Sequence, residues 1–441
     1  MIRRILFTIF LTGLVAASDQ IPGAVQQRPV LLRNGTIHTV VGAVLPRTDI
    51  LFRDGKISAI GKNLKAFPEF EVIDISGKQV YPGLIAASTP LGLVEIDEVR
   101  ATVDITEVGD LNPNIIANRA YNPDSEAIPV TRSNGVLLAN VTPQGTLLAG
   151  QSSLMQLDGW TWEDATLSES SGMHLTWPAV SAKPWVPDGK TVSERLQAGV
   201  EKIRLVDDLL ADARAYERIR TAETAGQRTA SQKRDLRLES LLPVIQSRMP
   251  VFIHAHEAAQ IEQAVNWSRR QGLKMILVGG HDAALLTGLL KSNNIPVILE
   301  SVLVLPLKRQ DGYDQLYRTP LALHQAGIRF ALAASPNGFD APHQRNLPYE
   351  AGMAAAFGLP ATAALRAITL GPAEILGVAD RVGSLAVGKD ATLFIADGDI
   401  LDIRTQVEQA WIQGRRVDLD DRHKQLYRKY REKYRQMGIL E

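Results

Sequence analysis

The stretch from Pro250 to Ile368 limits the fold more than any other part of this chain. Short apolar runs at 250–253, 275–278, 296–299 and 329–332 alternate with segments of helical character. The segment Glu257–Gln271 puts Ile261, Ala264, Val265 and Trp267 on one apolar helical face. Further helices are expected near 283–291, 321–326, 349–357 and 360–368. Strands alternating with helices predict parallel βα units. In a barrel of such units the C-terminal strand ends gather on one face, where the chemistry is carried.

The two ends of the chain read differently. Residues 28–80 hold short strands at 30–32, 37–40, 49–52, 57–60 and 71–74, and the pairs Asn34-Gly35 and Asp54-Gly55 suit tight hairpin turns. Strands are expected again at 392–396, 407–412 and 415–417. The run 136–141 is an early barrel strand, and the Gly- and Ser-containing run 145–159 is expected to line the barrel mouth. Residues 191–242 are helical and highly charged, which predicts a solvated helical insertion, with a lid as the alternative. The tail 422–435 is a basic helix with tyrosines, expected to pack on the outside.

Charge excludes some partners. The chain has 48 basic and 48 acidic residues among 441, so nothing points to nucleic acid or to a basic membrane surface. Cysteine is absent, which rules out disulfides and thiolate metal sites. Arg3 and Arg4 followed by the apolar run Ile5–Val15 and the small residues Ala16 and Ala17 predict a cleaved signal peptide and a periplasmic protein, with an uncleaved anchor as the alternative.

The run Tyr81-Pro82-Gly83-Leu84-Ile85-Ala86-Ala87-Ser88-Thr89-Pro90-Leu91-Gly92 resembles the opening barrel strand of the amidohydrolase superfamily, where Pro-Gly-Leu-Ile-Asp-x-His-x-His-Leu-Gly carries two metal-binding histidines. Here Ser88 and Pro90 stand at the histidine positions and Ala86 at the aspartate position. The run 383–391, Gly-Ser-Leu-Ala-Val-Gly-Lys-Asp-Ala, resembles a tag of the superfamily's flanking β-sandwich. Residues 122–126, 129–136 and 344–353 resemble runs of exported imidazolonepropionase- and prolidase-like members. The resemblance implies a (β/α)8 TIM-like barrel with a small β-sandwich formed by both chain ends. The expected division is a signal at 1–18, sandwich at 19–82, barrel at 83–375 with the helical insertion near 191–242, sandwich at 376–420 and a helical tail at 421–441.

The same resemblance implies a divalent metal, zinc first, with metal-free protein as the alternative. By it, His254 and His281 occupy the ligand positions after the fifth and sixth barrel strands. His256 is an extra candidate, because residues two apart on a strand point the same way. His174 is a weaker one. The eighth strand lacks the superfamily's terminal aspartate: 330–336 reads Phe-Ala-Leu-Ala-Ala-Ser-Pro. Candidates for a general base are then Asp340, Glu257 and Asp282, and Arg345 is a candidate for holding a substrate carboxylate. Two functions remain open. One is a hydrolase of carbon–nitrogen bonds in small amides with a reduced, mononuclear metal site. The other is a catalytically inactive barrel that binds a small molecule or a partner.

Overall fold

The structure is a computed structural model that describes residues 20–179, 191–226, 233–306 and 308–440; the expected signal peptide lies outside them. Its strands, in chain order, are β1 (Val30–His38), β2 (Val44–Arg53), β3 (Lys56–Gly61), β4 (Glu71–Asp74), β5 (Gln79–Pro82), β6 (Leu84–Thr89), β7 (Val136–Val141), β8 (Leu148–Gln156), β9 (Thr166–Thr176), β10 (Val251–Ala255), β11 (Met275–Gly279), β12 (Val297–Leu299), β13 (Phe330–Leu332), β14 (Leu393–Ala396), β15 (Val407–Ile412) and β16 (Arg415–Val417).

Both chain ends build one sheet, ordered β16-β15-β14-β5-β1-β2-β3, with β4 also beside β1. The ends join where β5 pairs antiparallel with β14. Inside it Phe52 meets Trp411 edge to face at 5.6 Å, over buried Leu32, Ile50 and Ile395. Asp54 and Gly55 form the expected hairpin turn between β2 and β3, both at positive φ. Asn34-Gly35 does not turn the chain. It forms a bulge within a single strand β1. Asp49 Oδ1 accepts from the Asn34 backbone N–H at 2.9 Å, and Asn34 Nδ2 donates to Ser76 Oγ at 2.8 Å. These bonds hold the left-handed residue in line with its neighbours.

Strands β6 to β13 follow one another around a barrel, and β13 comes back against β6. Seven run parallel; β8 is antiparallel to both neighbours. The run expected to be a mouth loop, 145–159, is therefore largely the third barrel strand, buried along its whole length. Connection length explains its direction. Only residues 142–147 separate β7 from β8, and a parallel crossover needs about a dozen or more. The barrel interior holds Ile85, Leu138, Leu154, Phe252, Ile276, Ile298 and Ala331, closed off at the N-terminal end by Ile375, Leu376 and Val382. The C-terminal strand ends stay open.

The charged segment after β9 supplies the helices of the fourth βα unit. Helix Val192–Thr224 buries Val206, Leu209, Leu210, Ala213 and Tyr216. Their spacing is a single apolar stripe in an otherwise charged sequence. Trp267 Nε1 donates to Asp207 Oδ1 at 2.7 Å, tying this helix to Ala258–Gln271. The segment is part of the barrel wall, not a solvated insertion. The tail helix, Arg422–Gln436, has no buried residue. No helix among the described residues is long and apolar enough to cross a membrane.

Candidate active site

Alternation along β10 sends Phe252 and His254 into the barrel, while Ile253 and Ala255 pack outward against the helices. His174, at the end of β9, lies flat on the Phe252 ring, with centroids 4.8 Å apart. Gly172 makes room for that ring: a Cβ there would fall 2.0 Å from it. His174 Nδ1 and His254 Nε2 share a hydrogen bond of 2.9 Å. The opposite nitrogen of His254, Nδ1, stands 3.8 Å from Glu300 Oε1. His256 Nε2 stands 3.8 Å from Glu300 Oε2. The carboxyl of Glu300, one residue past β12, thus sits between two imidazoles. His281 packs on the far side of His256, with ring centroids at 4.5 Å.

Burial sets the protonation states. Glu300 is 5% exposed, its Oε1 has no hydrogen-bond partner, and burial pushes its carboxyl up to about 7. Burial, and then the neighbouring His256, brings both His254 and His281 down to about 4. Burial also holds His174 well below the usual imidazole range, with His254 adding to it. At neutral pH these three rings are uncharged and Glu300 is poised between its two forms.

A second buried acid fixes the turn that carries Glu300. Glu350 accepts from Ser301 Oγ at 2.6 Å, from Val302 N at 2.8 Å and from Leu303 N at 3.2 Å. This gives residues 344–353 a structural meaning: their acid braces the loop after β12. Above the cluster opens a pocket of about 360 Å³, bordered by Thr89, Thr142, Thr176, Ser335 and Asn337 as well as His174, His254, His256 and Glu300. Gln144 Nε2 donates to Pro336 O at 2.6 Å across its rim.

The structure distributes the sequence candidates unevenly. His254 and His256 meet around Glu300, while His281 touches the pocket only through His256. Glu257 forms a capping box at the start of Ala258–Gln271. Asp282 accepts from Ala258 N at 2.9 Å and pairs with Lys308. Asp340 pairs with His343 at 3.0 Å. The Arg345 carbonyl accepts from Asn134 Nδ2 at 2.5 Å, and Arg345 does not border the pocket. At the end of β6, Thr89 borders the pocket; neither Ser88 nor Pro90 does. Glu300 escaped the sequence reading. Its signal was present, a lone carboxylate directly after the apolar run Val297-Ile298-Leu299.

The side chains do not fit a hydrolytic zinc as arranged. Among the described residues, no group of three or more His, Asp or Glu side chains is disposed to hold a metal ion. Zinc needs its donors about 2 Å from one point. Here the rings pair among themselves, His254 with His174 and His256 with His281. The expected trio His254, His256 and His281 does not converge.

Gly279 controls the position of His256. Its φ is +97°, and a Cβ would fall 2.6 Å from His256 Cε1. Gly279→Ala is expected to cost about 1–3 kcal/mol in backbone strain and to push His256 from Glu300. A lower thermal midpoint together with weaker ligand binding would register both effects.

Comparison with known proteins shows what this chain is similar to. Residues 246–417 match the model of the amidohydrolase family. The architecture is the amidohydrolase fold: an amidohydrolase from Thermotoga maritima MSB8 superimposes with a TM-score of 0.76 at 23% identity, covering 88% of this chain and 99% of that one. A prolidase solved with N-methylphosphonate-L-proline gives a TM-score of 0.55 at 18% identity, covering 88% and 99%. In sequence, the chain is 22% identical over 436 residues to the amidohydrolase tasK of Hapsidospora irregularis, covering 88% of this chain. It spans 43% of that relative's length.

Proposed function

We propose that this protein hydrolyses a carbon–nitrogen bond of a small amide held over Glu300. The observation that carries this reading is the Glu300 carboxyl set between His254 and His256 on the floor of the strand-end pocket. A carboxyl that titrates near neutrality suits both halves of amide hydrolysis. As carboxylate it takes a proton from the attacking water. The C–O bond forms in that step; as acid the carboxyl then returns the proton to the leaving nitrogen, and the tetrahedral adduct collapses with cleavage of the C–N bond. The imidazoles on either side orient the carboxyl. Separations of 3.8 Å need only a small closure to become hydrogen bonds, and catalytic contacts commonly tighten once substrate binds. No step here passes through a metal. Export to the periplasm belongs to the same proposal.

A second reading, binding without turnover, is favoured by the other half of the mouth, where Thr89 and Ser335 supply only hydroxyls. One assay separates the two. Purified protein is incubated with N-acyl amides and amine release is followed by mass spectrometry. Product formation that disappears in Glu300→Gln supports hydrolysis. Tight binding by both forms with no product establishes the binding reading. Elemental analysis of the same sample tests the cofactor: near-stoichiometric zinc, lost in His254→Ala, would mean that the rings rearrange around a metal.

A further inference from the structure

The walls of the pocket restrict the charge of what can enter it. Fourteen described residues border it, and none is lysine or arginine. Lys308, beside His281, is held by Asp282, and Arg345 is not among the lining residues. His174 and His254 cannot both replace them. His174 and His254 share one hydrogen bond between ring nitrogens, so one of the two must present a lone pair and stay neutral.

The polar side chains point the same way. Thr176 Oγ1 already donates to Gly145 O at 2.9 Å, and Thr142 Oγ1 donates to Asn140 O at 3.2 Å. Gln144 uses one of its two amide N–H groups on Pro336 O. What the two threonines retain is lone pairs, which accept from a ligand's N–H, and Gln144 keeps a neutral donor beside its carbonyl. Thr89 and Asn337 keep donors, but neutral ones. A ligand carboxylate would lie near the Glu300 carboxyl with no lysine or arginine among the described lining residues to meet it, and like charges placed together oppose binding.

We infer that the site takes small amides that are uncharged or cationic on both sides of the bond to be cut, and rejects amides that carry a carboxylate. This rests on the hydrolytic reading for the bond that breaks; the charge preference itself is a property of binding. It also gives the reaction a direction. Hydrolysis of a neutral amide creates a carboxylic acid that ionises beside Glu300, so the product is expelled by the same repulsion that excludes charged substrates.

The test uses matched pairs on the full chain: N-acetyl-L-leucinamide against N-acetyl-L-leucine, with the corresponding phenylalanine and proline pairs. Binding is read by calorimetry and turnover by mass spectrometry. At least one amide should bind ~10-fold or more tightly than its carboxylate partner, as expected for an unpaired like charge. Asn337→Lys, which adds a cation at the exposed rim, should narrow that ratio. A panel in which no uncharged member outbinds its carboxylate overturns the inference, as does Asn337→Lys leaving the ratio unchanged. If the amides bind preferentially but are not cut, the charge selection stands and the hydrolytic reading fails.

Discussion

Glu300→Gln is expected to abolish amide hydrolysis and, above neutral pH, to make the protein more stable. Losing a general acid–base group lowers turnover by about 10²–10⁴-fold. The stability gain follows from the buried carboxyl. Its folded-state value is about 7 against an ordinary 4.5. Folding therefore favours the protonated form. That contribution is fully present below pH 4.5 and is lost as pH rises through 7, where the folded chain must hold a buried, ionised carboxylate. A shift of this size corresponds to a difference on the order of 3 kcal/mol. Glutamine keeps the shape and cannot ionise. The thermal midpoints of wild type and variant should coincide near pH 4 and separate by a few degrees at pH 8, with the variant higher. Glu350 titrates in the same range but is present in both proteins, so its effect cancels. Equal midpoints at pH 8 would mean that Glu300 is solvated, and the acid–base reading would fall with it.

The two buried acids show how one displaced value serves different ends. Burial pushes both up to about 7. Glu350 accepts three hydrogen bonds and holds a loop in place. Glu300 has an oxygen without a hydrogen-bond partner and faces the pocket. Geometry, not the titration value, separates the brace from the reacting group.

The barrel was legible because hydrophobic period and chain spacing are local signals. The runs at 251–253, 275–278 and 297–299 all became parallel strands. The segment at 148–156 was not legible, because its small and polar residues read as loop. Its polarity is satisfied inside: Ser152 Oγ meets Ser171 Oγ at 2.8 Å, and Ser171 Oγ donates to Asn140 Oδ1 at 2.5 Å. Such partners lie far apart in the chain. Helix 192–224 misled for the opposite reason, since its many charges masked one apolar stripe. At the strand ends, the sequence singled out His254 and His256, which border the pocket. That reading failed at Glu300 because the resemblance directed attention to histidines and to the eighth strand. The pairing of His254 with His174 brings together residues 80 apart, which no spacing argument reveals.

Arg132→Met is expected to produce a large loss of stability while leaving the pocket intact. Arg132 is 5% exposed and sits at the closed end of the barrel. It donates to Asp418 O at 2.9 Å and to Leu157 O at 2.8 Å, and lies 3.4 Å from Asp158 Oδ1. Asp158, also buried, accepts from Gly23 N at 3.2 Å and lies 3.5 Å from Arg415. One ion pair thus binds the N-terminal segment, two barrel strand ends and the C-terminal strands. Removing the guanidinium strands a buried carboxylate and two carbonyls, at about 3–5 kcal/mol. Lysine should not rescue it, because a single ammonium cannot reach partners in three directions. If the stranded charge is the cause, Arg132→Met with Asp158→Leu should recover much of the loss in urea unfolding, since an apolar pair removes the buried carboxylate and leaves only Arg415, whose side chain is 21% exposed, without its partner. The pocket lies at the opposite strand ends, so ligand affinity per folded molecule should match wild type in both variants. A double variant less stable than the single one would show instead that Asp158 acts mainly through Gly23 and Arg415.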